Sequence, residues 1–506
     1  MSKKFVKPRL NPNLSNDRNS SLDDDQHTLV YTASPLAGST APEVAASDHP
    51  NSAAGADSAD AAAMPTGRDI LTSTSALLSS TWPFHLDDLP EQAYLVGGSV
   101  RDGLLGRQSD HLDLDFVLAQ DAVSTARAIA SRYKAGFVLL DAERSIARVV
   151  FPQATADFAQ QMGRALEDDL RRRDFTINAI AYSPHRNDLV DPTGGAVDLK
   201  QHQLRMINVQ NLKDDPLRLL RAYRQAAQLG FTIDSKTQQS IRQLAPLIDQ
   251  VAPERVYAEL SYLLHMPGRG THQLSQAWRD GLLQPWLPDI IPARLAEVAS
   301  IDQAARDLVA VNADFAAHLT GWPKAQQQAA GVGRSWVKVA KLSCLTPNLQ
   351  RAESQLWQLK CSRTEVQTVL LLLQMRRQAT TSEVPWQNLT RLEQYGLFKQ
   401  AGAAFPACAT LAIALGAQIH DVAAMLSRFI DPADPVAHPT PLLSGHELIA
   451  KLALKPSPRI GELLERLAEA HAQGIIQDPD AALNLAKTWL IEAGSGGGGR
   501  GRNPGP

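Results

Sequence analysis

Cysteine is nearly missing from this chain. Three residues in 506, Cys344, Cys361 and Cys408, stand far apart, at spacings that match neither a disulfide frame nor a zinc cage, so reduced thiols are expected. An excess of charge of one sign is also missing. Fifty Lys and Arg against 53 Asp and Glu leave a net charge of -3, so any polyanion must be held by local clusters rather than by the field of the whole molecule. No apolar run approaches the roughly 20 residues that cross a bilayer. The opening "MSKKFVKPRL" carries positive charge with no apolar stretch behind it, which argues against a secretory signal. These absences lead to the expectation of a cytoplasmic protein with no membrane partner.

The chain is long enough for several domains. Residues 1–67 are rich in Ser, Ala, Asp, Asn and Pro without apolar periodicity and are expected to be disordered, because they cannot bury enough surface to offset the entropy of ordering. The closing "GSGGGGRGRNPGP", residues 494–506, reads as a flexible tail. Between these ends, residues 68–210 mix strands and helices. "AYLVGG", "LDLDFVLA", "GFVLLD" and "ARVVF" read as strands. "DAVSTARAIASRYKAG" reads as a helix capped by Asp121 and stopped at Gly136. From Asp214 onward strand signals vanish. "DPLRLLRAYRQAAQLG", "PERVYAELSYLLHM", "EVQTVLLLLQMRRQ" and "PRIGELLERLAEAHAQG" all show helical spacing of apolar residues. The expected fold class is α+β: a head with a mixed sheet, then an all-α extension divided into a neck (211–270) and a body and tail (271–493).

Chemistry concentrates in the head. In "LDLDFVLA", alternation on a strand puts Asp113 and Asp115 on one face, with Leu112, Leu114 and Phe116 on the other. Two neighbouring carboxylates repel, and hard divalent cations relieve that. Mg²⁺ suits such a pair because it accepts carboxylate, phosphate and water oxygens together. Upstream, "GGSVRDGLLG" follows a strand and opens a helix, so backbone N–H groups near Gly97, Gly98 and Ser99 are placed for phosphate, with Arg101 one turn in. In "LEDDLRRRDFTINAIAY", Thr176, Ile177, Ala179 and Ile180 are expected to form a helix with a buried face. The preceding run Arg171 to Arg173 offers an anion clamp or a solvated charge cluster. Asp174 and Asn178, one turn apart, are placed to contact a ribose hydroxyl or to order the arginines. Asp191 in "DLVDPTGGAVDL" reads as a turn residue.

These three stretches resemble the motifs of the class II tRNA nucleotidyltransferase and bacterial poly(A) polymerase family. They stand in the family's order between Tyr94 and Leu199, and the likeness continues through "DDPLRLLRAYRQAAQLGF", "PERVYAEL" and "PLLSGHELIAKLALKPSPRIGELLERL". The resemblance implies a polymerase β-like head that uses Mg²⁺, CTP and ATP to extend the 3′ end of tRNA, with no stable protein partner. A carboxylate accepts from the exocyclic amino group that cytosine and adenine share, and a guanidinium donates to their ring acceptors. Carried over from the family, Asp215 and Arg218 read the base, while Arg173, Arg221 and Arg224 bind the rest of the nucleotide. Two departures stand out. Asp214 replaces the usual Glu before Asp215. The connection "FPQATADFAQQMGRALEDDL" is also compact where complete CCA-adding relatives carry an extended loop, which resembles the CC-adding members.

Further along, Lys451, Lys455 and Arg459 offer contacts to an RNA backbone or are plain solvated charges. His420-Asp421 reads as a helix-surface pair without the further ligands a metal centre needs. Three functions are consistent with these features: CCA or CC addition to tRNA, poly(A) synthesis, and RNA binding by a vestigial head.

Overall fold

The computed structural model describes residues 77–107, 111–320, 335–379 and 386–495. The expected disorder of residues 1–67 lies outside them. So does the flexible tail, apart from its first two residues, which instead close the final helix Pro479–Ser495.

Seven strands form one mixed sheet in the order β3-β4-β5-β2-β1-β6-β7. They are β1 (Ala93–Val96), β2 (Leu112–Leu118), β3 (Gly136–Asp141), β4 (Ile146–Phe151), β5 (Ala154–Gln160), β6 (Ala181–Ser183) and β7 (Asp188–Val190). Only β2 and β5 run parallel; every other pairing is antiparallel. One face of the central strands is closed by apolar side chains. Phe116 on β2 stacks on Phe158 of β5 at 5.3 Å between ring centroids, and Trp82 meets Phe116 edge-on at 5.2 Å. This aromatic packing leaves the opposite face of β2 and β5 to polar residues.

Several local expectations are corrected. Asp121 precedes the helix Ala122–Tyr133 but takes a left-handed backbone (φ 59°), and its side chain makes no capping bond. That helix ends at Lys134, also left-handed, and Gly136 instead opens β3. Thr176 to Ile180 form no α-helix. A single 3₁₀ turn, Thr176–Asn178, leads straight into β6, whose backbone groups pair with β1. The pairing of Ala181 and Tyr182 with β1 overrides the local apolar spacing. β5 was hidden in what reads as a connection. A further short strand, β9 (Thr232–Ile233), lies beyond Asp214 and pairs in parallel with β8 (Gln203–Leu204).

Among the described residues, every other named element after Asp214 is a helix. The Leu217–Leu229 helix buries Leu219, Leu220 and Tyr223 and ends at Gly230, whose φ of 75° suits a residue without Cβ. It packs on Pro253–His265, which in turn packs on Trp336–Leu345. That last contact contains buried charges. Lys338 Nζ lies 2.8 Å from Glu365, which also accepts from Tyr257 Oη at 2.7 Å. Lys341 donates to the Leu264 carbonyl at 2.9 Å and pairs with Asp302. Arg391–Ala414 is long and apolar enough by composition to cross a bilayer, contrary to the reading of the apolar runs. It is nevertheless a core segment, with 61% of its apolar window buried and a 3₁₀ turn at Gly402–Ala404.

Candidate active site

The strand register sets the geometry. Val96 pairs with Asp115, Asp115 with Asp157, and Asp157 with Arg148, so one row crosses β1, β2, β5 and β4. Residues paired in this way project to the same face. One step further out, Asp113 pairs with Thr155 and accepts its hydroxyl at 2.6 Å. Arg148 binds both oxygens of Asp157, at 2.7 and 3.0 Å.

Immediately after Val96 the chain turns through Gly97 (φ 74°) into the helix Gly98–Leu104. A Cβ at position 97 would sit 3.2 Å from Asp115 Oδ2 and 3.5 Å from Arg173 Nη1. The glycine therefore serves both the left-handed turn and a close approach of backbone to a carboxylate and a guanidinium. Ser99 spends its hydroxyl on the Val96 carbonyl at 3.1 Å, anchoring the turn to the strand.

Asp115 carries the imbalance of the site. Burial raises its carboxyl most, followed by the neighbouring charges of Asp113 and Asp157. Arg173 and Arg148 pull the other way, and the net result is about 7. Its ionised form is therefore disfavoured by burial and by two neighbouring carboxyls despite both arginines.

Of the three consecutive arginines, Arg173 faces the glycine turn. Arg172 and Arg173 share the buried Asp169, at 2.6 and 3.1 Å, and Arg171 is exposed. Arg101 is buried rather than free. It grips Asp102 with two nitrogens and donates Nη1–H to Asn178 Oδ1 at 2.8 Å. Asn178 donates to Asp174 at 2.9 Å, and Asp174 pairs with Arg221 at 2.9 Å. Burial opposes ionisation of Asp174, but Arg221 and the bonds from Asn178 and Phe175 outweigh it and hold the carboxyl below its ordinary range. Asp174 and Asn178 thus order arginines. Asp191 behaves as a turn residue, accepting from the N–H groups of Gly195 and Ala196 at 2.9 Å each.

At the start of the Leu217–Leu229 helix, Arg218 N–H donates to the Asp215 carbonyl at 3.0 Å, while the two side chains go to other partners. Asp215 Oδ2 is held by Arg255 at 3.0 Å, and Arg218 Nη1 donates to the carbonyls of Arg172 and Asn211 at 3.0 and 2.9 Å. Arg224 binds Glu259 at 2.5 Å. The helix Pro253–His265 thereby supports two members of the polar stripe with residues spaced one turn apart.

Asp157, Arg148, Thr155, Arg255 and Glu259 were not singled out from the sequence. A signal existed for the first three, since "ATADFAQ" and "IARVVF" alternate apolar and polar residues with the period of a strand. Lys451, Lys455 and Arg459 are exposed on and between the last helices, around an apolar cluster separate from the head core. His420 is exposed, with Nε2 3.2 Å from its neighbour Asp421. Among the described residues no group of three or more His, Cys, Asp or Glu is placed to hold a metal ion.

A glycine turn against paired aspartates on a mixed sheet, followed by an extension of helices with one short strand, is the arrangement of a nucleotidyltransferase head with a helical extension. Comparison with known proteins agrees. Residues 93–205 match the poly A polymerase head domain, 230–294 the probable RNA- and SrmB-binding site of polymerase A, and 334–486 the putative tRNA nucleotidyltransferase domain 2. The chain is 45% identical to the CC-adding tRNA nucleotidyltransferase of Synechocystis sp., over 80% of this chain and 95% of that protein. It is 33% identical to the A-adding tRNA nucleotidyltransferase of Deinococcus radiodurans, over 80% and 98%. The fold is also that of the Thermotoga maritima CCA-adding enzyme solved with tRNA, with a TM-score of 0.57 at 21% identity, covering 79% of this chain and 91% of that one. The chain belongs to the tRNA nucleotidyltransferase family.

Proposed function

We propose that this enzyme adds cytidines to the 3′ end of tRNA and stops at CC, leaving the terminal A to a separate activity. The transfer forms a bond between the RNA's terminal 3′-oxygen and the α-phosphorus of CTP, breaks the α–β phosphoanhydride bond, and releases pyrophosphate and a proton. The observation that carries the reaction class is the approach of Gly97 to Asp115 and Arg173. It leaves backbone, a carboxylate and a guanidinium around a space where only a glycine fits.

The residues fit a divalent cation. Asp115 is pushed up to about 7 beside two further carboxyls, so its ionised form lacks compensation that a cation supplies. Asp113 and Asp115 would hold Mg²⁺ together with nucleotide oxygens. Bound there, Mg²⁺ offsets the charge of the triphosphate and of the departing pyrophosphate. The chain's own groups do the positioning. The turn at Gly97 and Gly98 brings backbone N–H groups to the phosphates, and Arg173 neutralises them. Arg221 and Arg224, fixed by Asp174 and Glu259, face the remaining nucleotide groups. Asp215 keeps acceptor capacity beyond its bond to Arg255, and Arg218 keeps Nε and Nη2 beyond its two carbonyls, so both can address a base.

The stop at CC is supported by the short path from β5 to the next helix, residues 161–165, and by the CC-adding relative. The reaction belongs in the cytoplasm, where its substrates are. Purified protein given tRNA lacking its last three nucleotides, with CTP and ATP, is expected to add two cytidines and no adenosine. Efficient addition of the A would overturn the CC reading. ATP-only tailing would turn the proposal toward poly(A) synthesis.

A further inference from the structure

One buried polar residue on the base-reading helix has no place in the site as described so far. Gln225 lies on Leu217–Leu229 and is 1% exposed. Its Oε1 accepts from Asn178 Nδ2 at 3.0 Å, joining a helix of the neck to the 3₁₀ turn of the head. A buried glutamine is costly unless its polar atoms are hydrogen-bonded, and here Oε1 is.

The bonding leaves one arrangement of these amides. Arg101 can only donate, so Asn178 must turn Oδ1 toward it. The Asn178 NH₂ group then faces Asp174 and Gln225, and both its hydrogens are used. Gln225 must answer with its oxygen. The result is a continuous line: Arg101 on the helix after the glycine turn, then Asn178, then Asp174 with Arg221 on one branch and Gln225 on the other. Arg218, Arg221 and Gln225 recur at helical spacing along one face of Leu217–Leu229. A fixed point at Gln225 therefore sets the rotation of that face, and with it the direction of Arg218 and Arg221 relative to the glycine turn.

We propose that Gln225 is a positioning residue for nucleotide selection, an amide tether that holds the base-reading face of the neck in register with the phosphate-binding turn of the head. The inference rests on the nucleotide-binding reading above and extends it to a residue that touches neither phosphate nor base. Removing the acceptor strands one buried N–H of Asn178 and frees the helix to turn. The damage falls on how base and phosphate are held together, and the grip on tRNA is unaffected.

The test compares the parent enzyme with Gln225→Leu, Gln225→Met and Gln225→Glu. The readouts are KM for CTP, KM for tRNA, the preference for CTP over ATP, equilibrium CTP binding and the thermal midpoint. Gln225→Leu is expected to weaken CTP binding and raise its KM by about tenfold, as loss of a buried hydrogen bond with one partner left behind does. The KM for tRNA is expected to stay within about twofold of the parent's, and discrimination against ATP is expected to fall. Gln225→Glu, which keeps an acceptor toward Asn178 but adds a carboxyl near Asp174, is expected to lose less CTP binding than Gln225→Leu. Unchanged CTP binding in a folded Gln225→Leu protein overturns the proposal. So does a parallel loss of CTP affinity, tRNA affinity and thermal midpoint, which marks a merely structural role. If Gln225→Leu does not fold, Gln225→Met preserves the volume and is judged by the same two outcomes. Parent protein that binds CTP but extends no tRNA would sink the assigned reaction and leave the tether decided by CTP binding alone. Parent protein that binds no CTP would sink both.

Discussion

Asp157 stands beside Asp115 on neighbouring parallel strands, and Arg148 takes both of its carboxylate oxygens. The nearest strong cation in the row is thus committed to Asp157, and Asp115 is left without a full counter-charge. Replacing Asp115 tests the proposed cation site and relieves a buried charge at once. Asp115→Asn is expected to lower nucleotide addition by about a thousandfold or more, since the charge that binds the cation is gone. Without divalent cation at about pH 8, the same variant is expected to be at least as stable as the parent, because a buried ionised carboxyl has become neutral. Incorporation assays and thermal unfolding in EDTA check both halves; an inactive variant that is also markedly less stable would contradict this account.

The same carboxyl predicts how Mg²⁺ and pH interact. Asp115 titrates at about 7 in the fold, against an ordinary value of 3.8. Between these values the folded protein keeps a proton that the unfolded chain has lost, so the contribution of this group to stability falls as pH rises through that window and is level above it. A cation binds the ionised form. Stabilisation by Mg²⁺ is therefore expected to be full at about pH 8 and to shrink as the pH drops below about 7. Thermal midpoints with Mg²⁺ or EDTA across this range provide the measurement.

Arg255 holds Asp215 from the neighbouring helix at 3.0 Å. Arg255→Ala frees the Asp215 side chain, and KM for CTP is expected to rise about threefold to tenfold with a smaller change in kcat, as loss of pre-organisation rather than chemistry. Asp215→Ala is expected to do more, erasing much of the preference between bases. Steady-state kinetics with all four nucleotides separate the two effects.

The buried pair of Lys338 and Glu365 predicts acid sensitivity. Burial opposes ionisation of Glu365, but Lys338, Tyr257 and the Ser362 N–H outweigh it, bringing the carboxyl down to about 2. The stabilisation is whole above the ordinary value of 4.5 and is lost as pH falls from there toward about 2, amounting to roughly 3 kcal/mol at most. Lys338→Ala strands the carboxylate and is expected to cost about 3–5 kcal/mol, read by denaturant unfolding at neutral pH.

The motifs were legible because each is local. The glycine turn, the alternating aspartates and the helical extension depend on neighbours a few residues apart, and the structure brings Gly97 against Asp115. The misses are of another kind. The Thr176–Ile180 stretch has helical spacing but is claimed by pairing of β6 with β1, a contact formed across more than eighty residues of chain. Asp157 escaped notice because β5 is rich in alanine and short in β-branched residues, so its period of two was weak. The partners Arg255–Asp215, Glu259–Arg224 and Gln225–Asn178 join segments distant in sequence. No local pattern announces such pairs.

Lys338 and Lys341 project from a single helix into the interior, one toward Glu365 and Tyr257, the other toward Asp302 and the Leu264 carbonyl. Sliding of that helix past Pro253–His265 would break the bond from Lys341 to the Leu264 carbonyl and part Lys338 from the Tyr257 ring. Shearing at this joint is thereby opposed by the loss of buried polar contacts.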